Sequence, residues 1–346
     1  MIGFNSGGNR GMLGRHGGAE FLLVTGMAML FALPAEAKFV KFQVKGSTAT
    51  IGLSVNDTAS VAGVWTNGNF VYHGFIRTPD GTITTFDPPG STGTWCSGIN
   101  DDGIIAGYYG DSGDHGFLRA FDGTITSCGP PGSVGGTQIL GINKKNSFTG
   151  SYSNGTHQSG FVQDAEGIFS SFDPPGSIET SPSAISADGT ITGSYQDDNG
   201  VSHGFARKPD GAITAFDPAG SIQTQVMAIN SKDEVAGEYE VSEGNFDGFL
   251  RKADGTIESF DAPMGVAGTT HGVNVNNKGR IIGVYLAITD GYMEIHRFQR
   301  APDGIIKTVE PKGILWSETD GINASGHITG AYGDSQTTGY GYLYTP

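Results

Sequence analysis

One nine-residue pattern, [IV]-[NS]-x-x-x-x-[IVF]-x-G, recurs along this chain and limits what it can fold into. Its copies begin at Val55, Ile99, Ile142, Ile185, Ile229, Val275 and Ile322, spaced 43 to 47 residues apart. That period suits a four-stranded propeller blade and is far too long for one coil of a β-helix. Within the copy Ile99 to Thr137, strand and turn cues alternate. They predict strands over 94–100, 103–110, 115–120 and 123–128. The first two are joined at Asp102-Gly103 and the last two at Asp122-Gly123, which reads as two-residue hairpins of type I′. No stretch after residue 37 shows a 3.6-residue apolar period, so helix is expected to be near absent. The 57 glycines fit a fold with many tight turns.

The two ends of the repeat array are complementary. The seventh copy stops at Pro346 without a fourth strand, whereas residues 38–47 read as a fourth strand with its following loop. Phe42 and Gly46-Ser47 match Phe86 and Gly90-Ser91 of the first copy. The expected fold is therefore all-β: a seven-bladed β-propeller of four-stranded blades, closed by the N-terminal strand pairing into the last blade. Residues 38–346 form a single domain in this reading, and a monomer is expected.

Residues 1–37 carry Arg10 and Arg15, an apolar run from Phe21 to Leu33, and Ala35-Glu36-Ala37. This is the pattern of a cleaved secretory signal peptide. The mature chain is expected to be exported to the periplasm or exterior, with no later membrane span. A net charge of −15 argues against nucleic acid as a partner, because phosphate binding needs clustered Lys and Arg. Export permits a disulfide between Cys96 and Cys128, the only cysteines. Cys128 stands where other copies have Phe, so two buried thiols are the equal alternative. No zinc site is expected from two cysteines without a histidine cluster.

The units Gly-Ile-Asn, Gly-x-Tyr and His-Gly-Phe-Leu-Arg resemble the HAF-type extracellular repeats of bacterial exported proteins. The variants here are His73-Gly74-Phe75, His115-Gly116-Phe117, His203-Gly204-Phe205, Asp247-Gly248-Phe249 and His296-Arg297-Phe298. The resemblance spans essentially all of residues 38–346. It implies an extracellular repeat protein and supplies no catalytic residues.

Features present in every copy hold a blade together, so function is sought where the copies differ. The His-Gly-Phe histidines are expected to bond within their own blades rather than to share a metal. The aromatic series Trp65, Tyr109, Tyr152, Tyr195, Tyr239, Tyr285 and Tyr332 reads as packing, with sugar stacking as the alternative. Asp-Pro-Pro loops such as Asp87-Pro88-Pro89 read as structural, each aspartate turning back on its own backbone. No cofactor is expected; the acidic loops at Asp111 and Asp114, Asp197 and Asp198, and Glu240 and Glu243 lack the calcium-loop pattern, with weak Ca²⁺ binding left open. Thr50, Thr94, Thr137, Thr180, Thr224, Thr270 and Ser317 form an architectural hydroxyl ring.

The residue after that hydroxyl varies completely: Ile51, Trp95, Gln138, Ser181, Gln225, His271 and Glu318. If these line the channel mouth, the ligand-binding candidates are Trp65, Trp95, Gln138, Gln225, His271, Trp316 and Glu318. The leading expectation is a non-enzymatic propeller binding a glycan or protein there. The alternative is a polysaccharide lyase or glycoside hydrolase, with His271 and Glu318 as an acid–base pair and Asp320 nearby. No nucleophile elbow, HExxH, P-loop or dinucleotide motif accompanies them.

Overall fold

The computed structural model describes residues 37–346 except 70, 290, 291, 311–313, 315 and 334–337. The expected signal segment, 1–37, lies outside the described residues but for its last position. Every regular element among the described residues is a strand.

Each repeat folds as a meander whose first strand lies at a central channel. In the second repeat the strands are Gly93–Ile99, Ile105–Gly110, Asp114–Arg119 and Ile125–Cys128, paired antiparallel in that order. Lys38–Phe42 pairs with Tyr340–Thr345 and forms the outer edge of the sheet that also holds Trp316–Ile322 and Ile328–Gly333.

The expectation of seven discrete four-stranded blades is corrected. Among the described residues there are five discrete four-stranded blades, and the strands from Gln138–Ile142 to Ile213–Phe216 form one eight-stranded sheet. Two repeats merge there because Gln158 pairs in parallel with Glu179 at the start of the next inner strand. The outer strand Phe169–Phe172 covers only Gly160 to Gln163, so the beginning of the third strand stays open to that neighbour. At two other boundaries the contact is an isolated parallel bridge, Ala49 with Gly339 and Phe246 with Thr269, and between the first two repeats it shrinks to the bond from the Thr94 N–H to the Tyr72 carbonyl at 2.8 Å.

The turns also differ from expectation. Asn100 N–H bonds the Ile104 carbonyl and Gly103 N–H bonds the Asn100 carbonyl. Gly103 has φ 75° while Asp102 does not have positive φ, so this is not a two-residue I′ turn. The positive-φ place falls to Ala59, Asn146 and Asp233 in three other repeats.

The motif glycine in the second strand has a steric cause. The inner strand is bulged opposite it, between Cys96 and Gly98 in the second repeat. A Cβ on Gly107 would stand 2.1 Å from the Trp95 carbonyl oxygen. Only a residue without a side chain fits beneath that bulge.

Asparagines tie the inner ends of the repeats together. Asn56 Nδ2 donates to the Asn100 carbonyl, Asn143 to Ser186, Asn230 to Asn276, Asn276 to Asn323, and Asn323 back to Asn56, at 2.8 to 3.0 Å. Their Oδ1 atoms clamp their own turns, as Asn143 does for the Ser147 N–H at 3.1 Å. Ser186 holds the equivalent place in the fourth repeat and bonds Asp188 instead.

Candidate functional site

The hydroxyl ring is buried and faces the Asp-Pro loops. Thr94 Oγ1 donates to Asp87 Oδ1 at 2.6 Å, and His73 Nδ1 meets Asp87 Oδ2 at 2.8 Å. The same histidine–aspartate–threonine relay joins His203, Asp217 and Thr224, and His157, Asp173 and Thr180. The aspartate therefore links its own blade to the next strand, where the sequence suggested a bond to its own backbone. The second repeat has Cys128-Gly129 in place of Phe-Asp, and His115 turns to Asp111 at 2.9 Å. These relays resemble catalytic triads in composition, but the threonines are at most 1% exposed and tie loops together.

The aromatic series is packing. Tyr109, Tyr152, Tyr239 and Tyr285 bond Ser127, Ser171, Ser259 and Thr308 on the outer strands of their own blades. Trp65 stacks on His73 with ring centres 4.6 Å apart and lines neither cavity described below. The structure thus places Trp65 apart from Trp95. The acidic loops are internally bonded: Asp111 to Ser112, Asp197 to the Val201 N–H, and Glu240 to the Gly244 N–H. Among the described residues, no three metal-ligating side chains gather.

Both cysteines are free. They stand on the first and fourth strands of one sheet, three ladder steps of about 4.8 Å apart, beyond disulfide reach. Burial pushes both thiols up to about 12.

The variable positions behave differently from one another. Three of them contact the residue that precedes His-Gly-Phe in the previous repeat. Tyr72 meets Trp95 edge-on at 5.1 Å, Asp114 accepts from Gln138 Nε2 at 2.6 Å, and Phe246 packs on His271 at 5.1 Å. Tyr72, Phe246 and the strand partners Tyr108 and Glu238 were missed by sequence reasoning, and Asp114 was read only as part of an acidic loop. A signal existed for Tyr72, Asp114 and Phe246, whose position carries a different residue in every copy.

His271 does not pair with Glu318. Its Nδ1–H donates to Glu238 Oε2 at 2.7 Å, with Glu238 buried and the imidazole one-third exposed. That bond raises the His271 pKa against the opposing effect of burial. Gln225 is exposed and lies opposite Glu238 in register, so the two share one sheet face.

Glu318 and Asp320, both half-buried, accompany the buried Arg297 and Tyr342 between the last two repeats. Arg297 takes the glycine place of His-Gly-Phe, where Val309 replaces the usual phenylalanine. In the first repeat a Cβ on Gly74 would stand 2.7 Å from the Phe86 ring, so the smaller Val309 makes room for Arg297. The guanidinium lies 4.4 Å from the Tyr342 ring centre, and Nη1 donates to the Glu318 carbonyl at 3.5 Å. Burial raises the pKa of Glu318, which Arg297 opposes. Asp320 is raised further, by burial and then by Glu318. It borders the central channel, a cavity of about 390 Å³, although its Oδ2 is shut off from solvent and, among the described residues, has no hydrogen-bond partner. Trp316 begins the same inner strand, with its ring 3.0 Å from where a Cβ on Gly339 would sit.

A second cavity, of about 250 Å³, lies between the first two repeats. Tyr72, Trp95, Tyr108, Val71 and Asp114 line it. Trp95 and Tyr108 are opposite in register, so both rings project from one face. Burial, then the Asp114 charge, raises the Tyr108 pKa and keeps its phenol protonated. This is a surface pocket with three aromatic rings and one carboxylate.

The architecture is that of an all-β propeller. No family model matches the chain, and no curated protein matches it. Among solved structures it is similar to streptogramin B lyase, with a TM-score of 0.60 and 13% identity over 89% of this chain and 97% of that one. Virginiamycin B lyase from Staphylococcus aureus, in a catalytically inactive form with quinupristin, is similar at TM-score 0.59 and 17% identity over 90% and 100% of the two chains. The β-propeller domain of the Trilobed protease from Pyrococcus furiosus gives 0.57 and 11%, covering 85% and 95%. At these identities the likeness concerns the fold alone.

Proposed function

We propose that this chain is an exported, non-catalytic binding propeller that takes a glycan in the pocket between its first two repeats. The observation that carries this reading is the group Tyr72, Trp95, Tyr108 and Asp114. Sugar rings present apolar C–H faces that stack on aromatic rings, and hydroxyls that donate to a carboxylate. A pocket of this size fits one or two sugar units. The wider mouth, with Gln225 and His271, would serve a longer glycan or a protein ligand. A glycan array followed by calorimetry tests the reading. A hit whose binding disappears with Trp95→Ala and survives Gln225→Ala is expected. Failure of Trp95→Ala to weaken any hit would overturn it.

A second reading has one observation in its favour. A buried carboxylate orienting a partly exposed imidazole, as Glu238 does for His271, is the arrangement of a general base. A polysaccharide lyase built on it would use Glu238 rather than Glu318 behind the base. Release of unsaturated sugars that ceases with His271→Ala would favour it over simple binding.

A further inference from the structure

The strands Ile281–Thr289 and Tyr292–Arg300 are the longest among the described residues. They outrun their neighbours. The inner strand beside them pairs only as far as Val284, and the outer strand only as far as Phe298. Leu286 is held by Thr269 and Val266, through bonds of 3.1 and 2.7 Å. Past it, residues 287–289 and 292–295 pair with each other and have no third strand beside them among the described residues.

This projecting ribbon has an apolar face. Leu286 pairs with Ile295 and Ile288 with Met293, so the four side chains share one side. Ile288 is 66% exposed, Met293 64% and Ile295 43%. Three outer strands elsewhere run into Asp-Pro sequences that blunt them, at Phe86-Asp87-Pro88, Phe172-Asp173-Pro174 and Phe216-Asp217-Pro218. From 286 to 295 there is no proline, lysine or arginine. Ile295 also occupies the position of Tyr72, Asp114 and Phe246, which places the apolar face at the rim of the same mouth.

We propose that this ribbon binds an extended polypeptide by strand addition, the ligand carrying alternating apolar side chains and a neutral or basic charge. Open ladder edges offer backbone donors and acceptors that another strand satisfies, and alternate side chains would then lie on the apolar face. Charge decides among occupants. The only charged residues from 286 to 295 are Asp290 and Glu294, and the whole chain carries −15. A second copy of this chain or an anionic bilayer would be repelled; a neutral or basic peptide would not. The proposal is independent of the glycan pocket.

The test is selection of displayed random peptides of about ten residues, a strand's length, on the chain from residue 38 onward. Enriched sequences should alternate apolar residues and carry zero or positive charge. Their affinity should fall roughly tenfold or more in the double variant Ile288→Lys, Met293→Lys, while Trp95→Ala leaves it unchanged. Amides within 287–289 or 292–295 should gain exchange protection in the complex. Should the lysine variant misfold by circular dichroism, Ile288→Thr with Met293→Thr replaces it. No enrichment, or peptides indifferent to both variants, overturns the proposal. So does self-association, or flotation with phosphatidylcholine vesicles, that the variants abolish.

Discussion

The guanidinium of Arg119 lies 4.9 Å from the centre of the Phe86 ring, across the boundary between two repeats. The same pairing joins Arg77 to Phe42, Arg207 to Phe172, Arg251 to Phe216 and Arg300 to Phe260. At the two remaining boundaries both members depart together. Cys128 replaces the phenylalanine where Gln163 replaces the arginine, and Val309 does so where Tyr344 does. Val309 and Tyr344 pack on one core cluster. A buried cation over a desolvated ring contributes on the order of 2 kcal/mol. Arg119→Gln should therefore cost about 1–2 kcal/mol in urea unfolding. In a double-mutant cycle with Phe86→Leu, the coupling should be favourable and at least about 0.5 kcal/mol. Additive effects would place the arginine's contribution elsewhere.

The asparagine belt allows a sharper loss. Asn143 is 5% exposed and joins its turn to the next repeat through Nδ2 and Oδ1. Asn143→Ala leaves the Ser186 carbonyl and the Ser147 N–H without these partners, at a cost of about 2–4 kcal/mol. Asn199→Ala, at an exposed loop residue whose side chain bonds Asp197 and Asp198, should change stability by less than about 1 kcal/mol. Equal effects would mean that the belt is not what holds the inner ends.

How far these relations could be read in advance depended on their range. Strand positions in the second repeat were legible to within one or two residues, because alternation and turns are local. The threonine ring was legible from its recurrence. Glu238 was not, since a single glutamate on a second strand looks like surface charge until the fold brings it to His271. Trp65 misled because it shares a residue type with Trp95 and Trp316 but a strand position with the packing tyrosines. The two merged repeats were illegible, as the Gln158 and Glu179 pairing is backbone geometry with no side-chain signature.

Ala59 has φ 65°, where other repeats place glycine, asparagine or aspartate. An L-residue with a β-carbon is strained there by about 1–2 kcal/mol, partly offset because alanine restricts the unfolded chain. Ala59→Gly should then raise stability by about 0.5–1 kcal/mol. Thermal unfolding should register this as a gain of a few degrees. A loss would indicate that Ala59's packing with the surrounding core outweighs the strain.

The pH response follows from four groups shifted in the same direction. Asp217 raises His203 and Glu238 raises His271, in each case through a hydrogen bond that burial opposes. Burial raises Glu318 and Asp320. Each group thus holds its proton more tightly folded than unfolded. For the histidines the stabilisation is complete below their ordinary pKa near 6.5 and disappears as pH rises through the raised folded value. For the two acids it is complete below about 4 and is lost as pH climbs through their higher folded values. Stability should therefore decline as pH rises from about 5 through the raised folded values of these four groups. Asp320→Asn removes a poorly solvated charge that Arg297 offsets only in part and that, among the described residues, leaves one carboxylate oxygen without a hydrogen-bond partner. It should raise the melting temperature by about 2 °C or more at pH 8, corresponding to roughly 1 kcal/mol. At pH 4.5 the gain should shrink, because the raised pKa of Asp320 leaves less of its charge to remove as pH falls. A larger gain at low pH than at high pH would show that Asp320 is held as a carboxylate by Arg297.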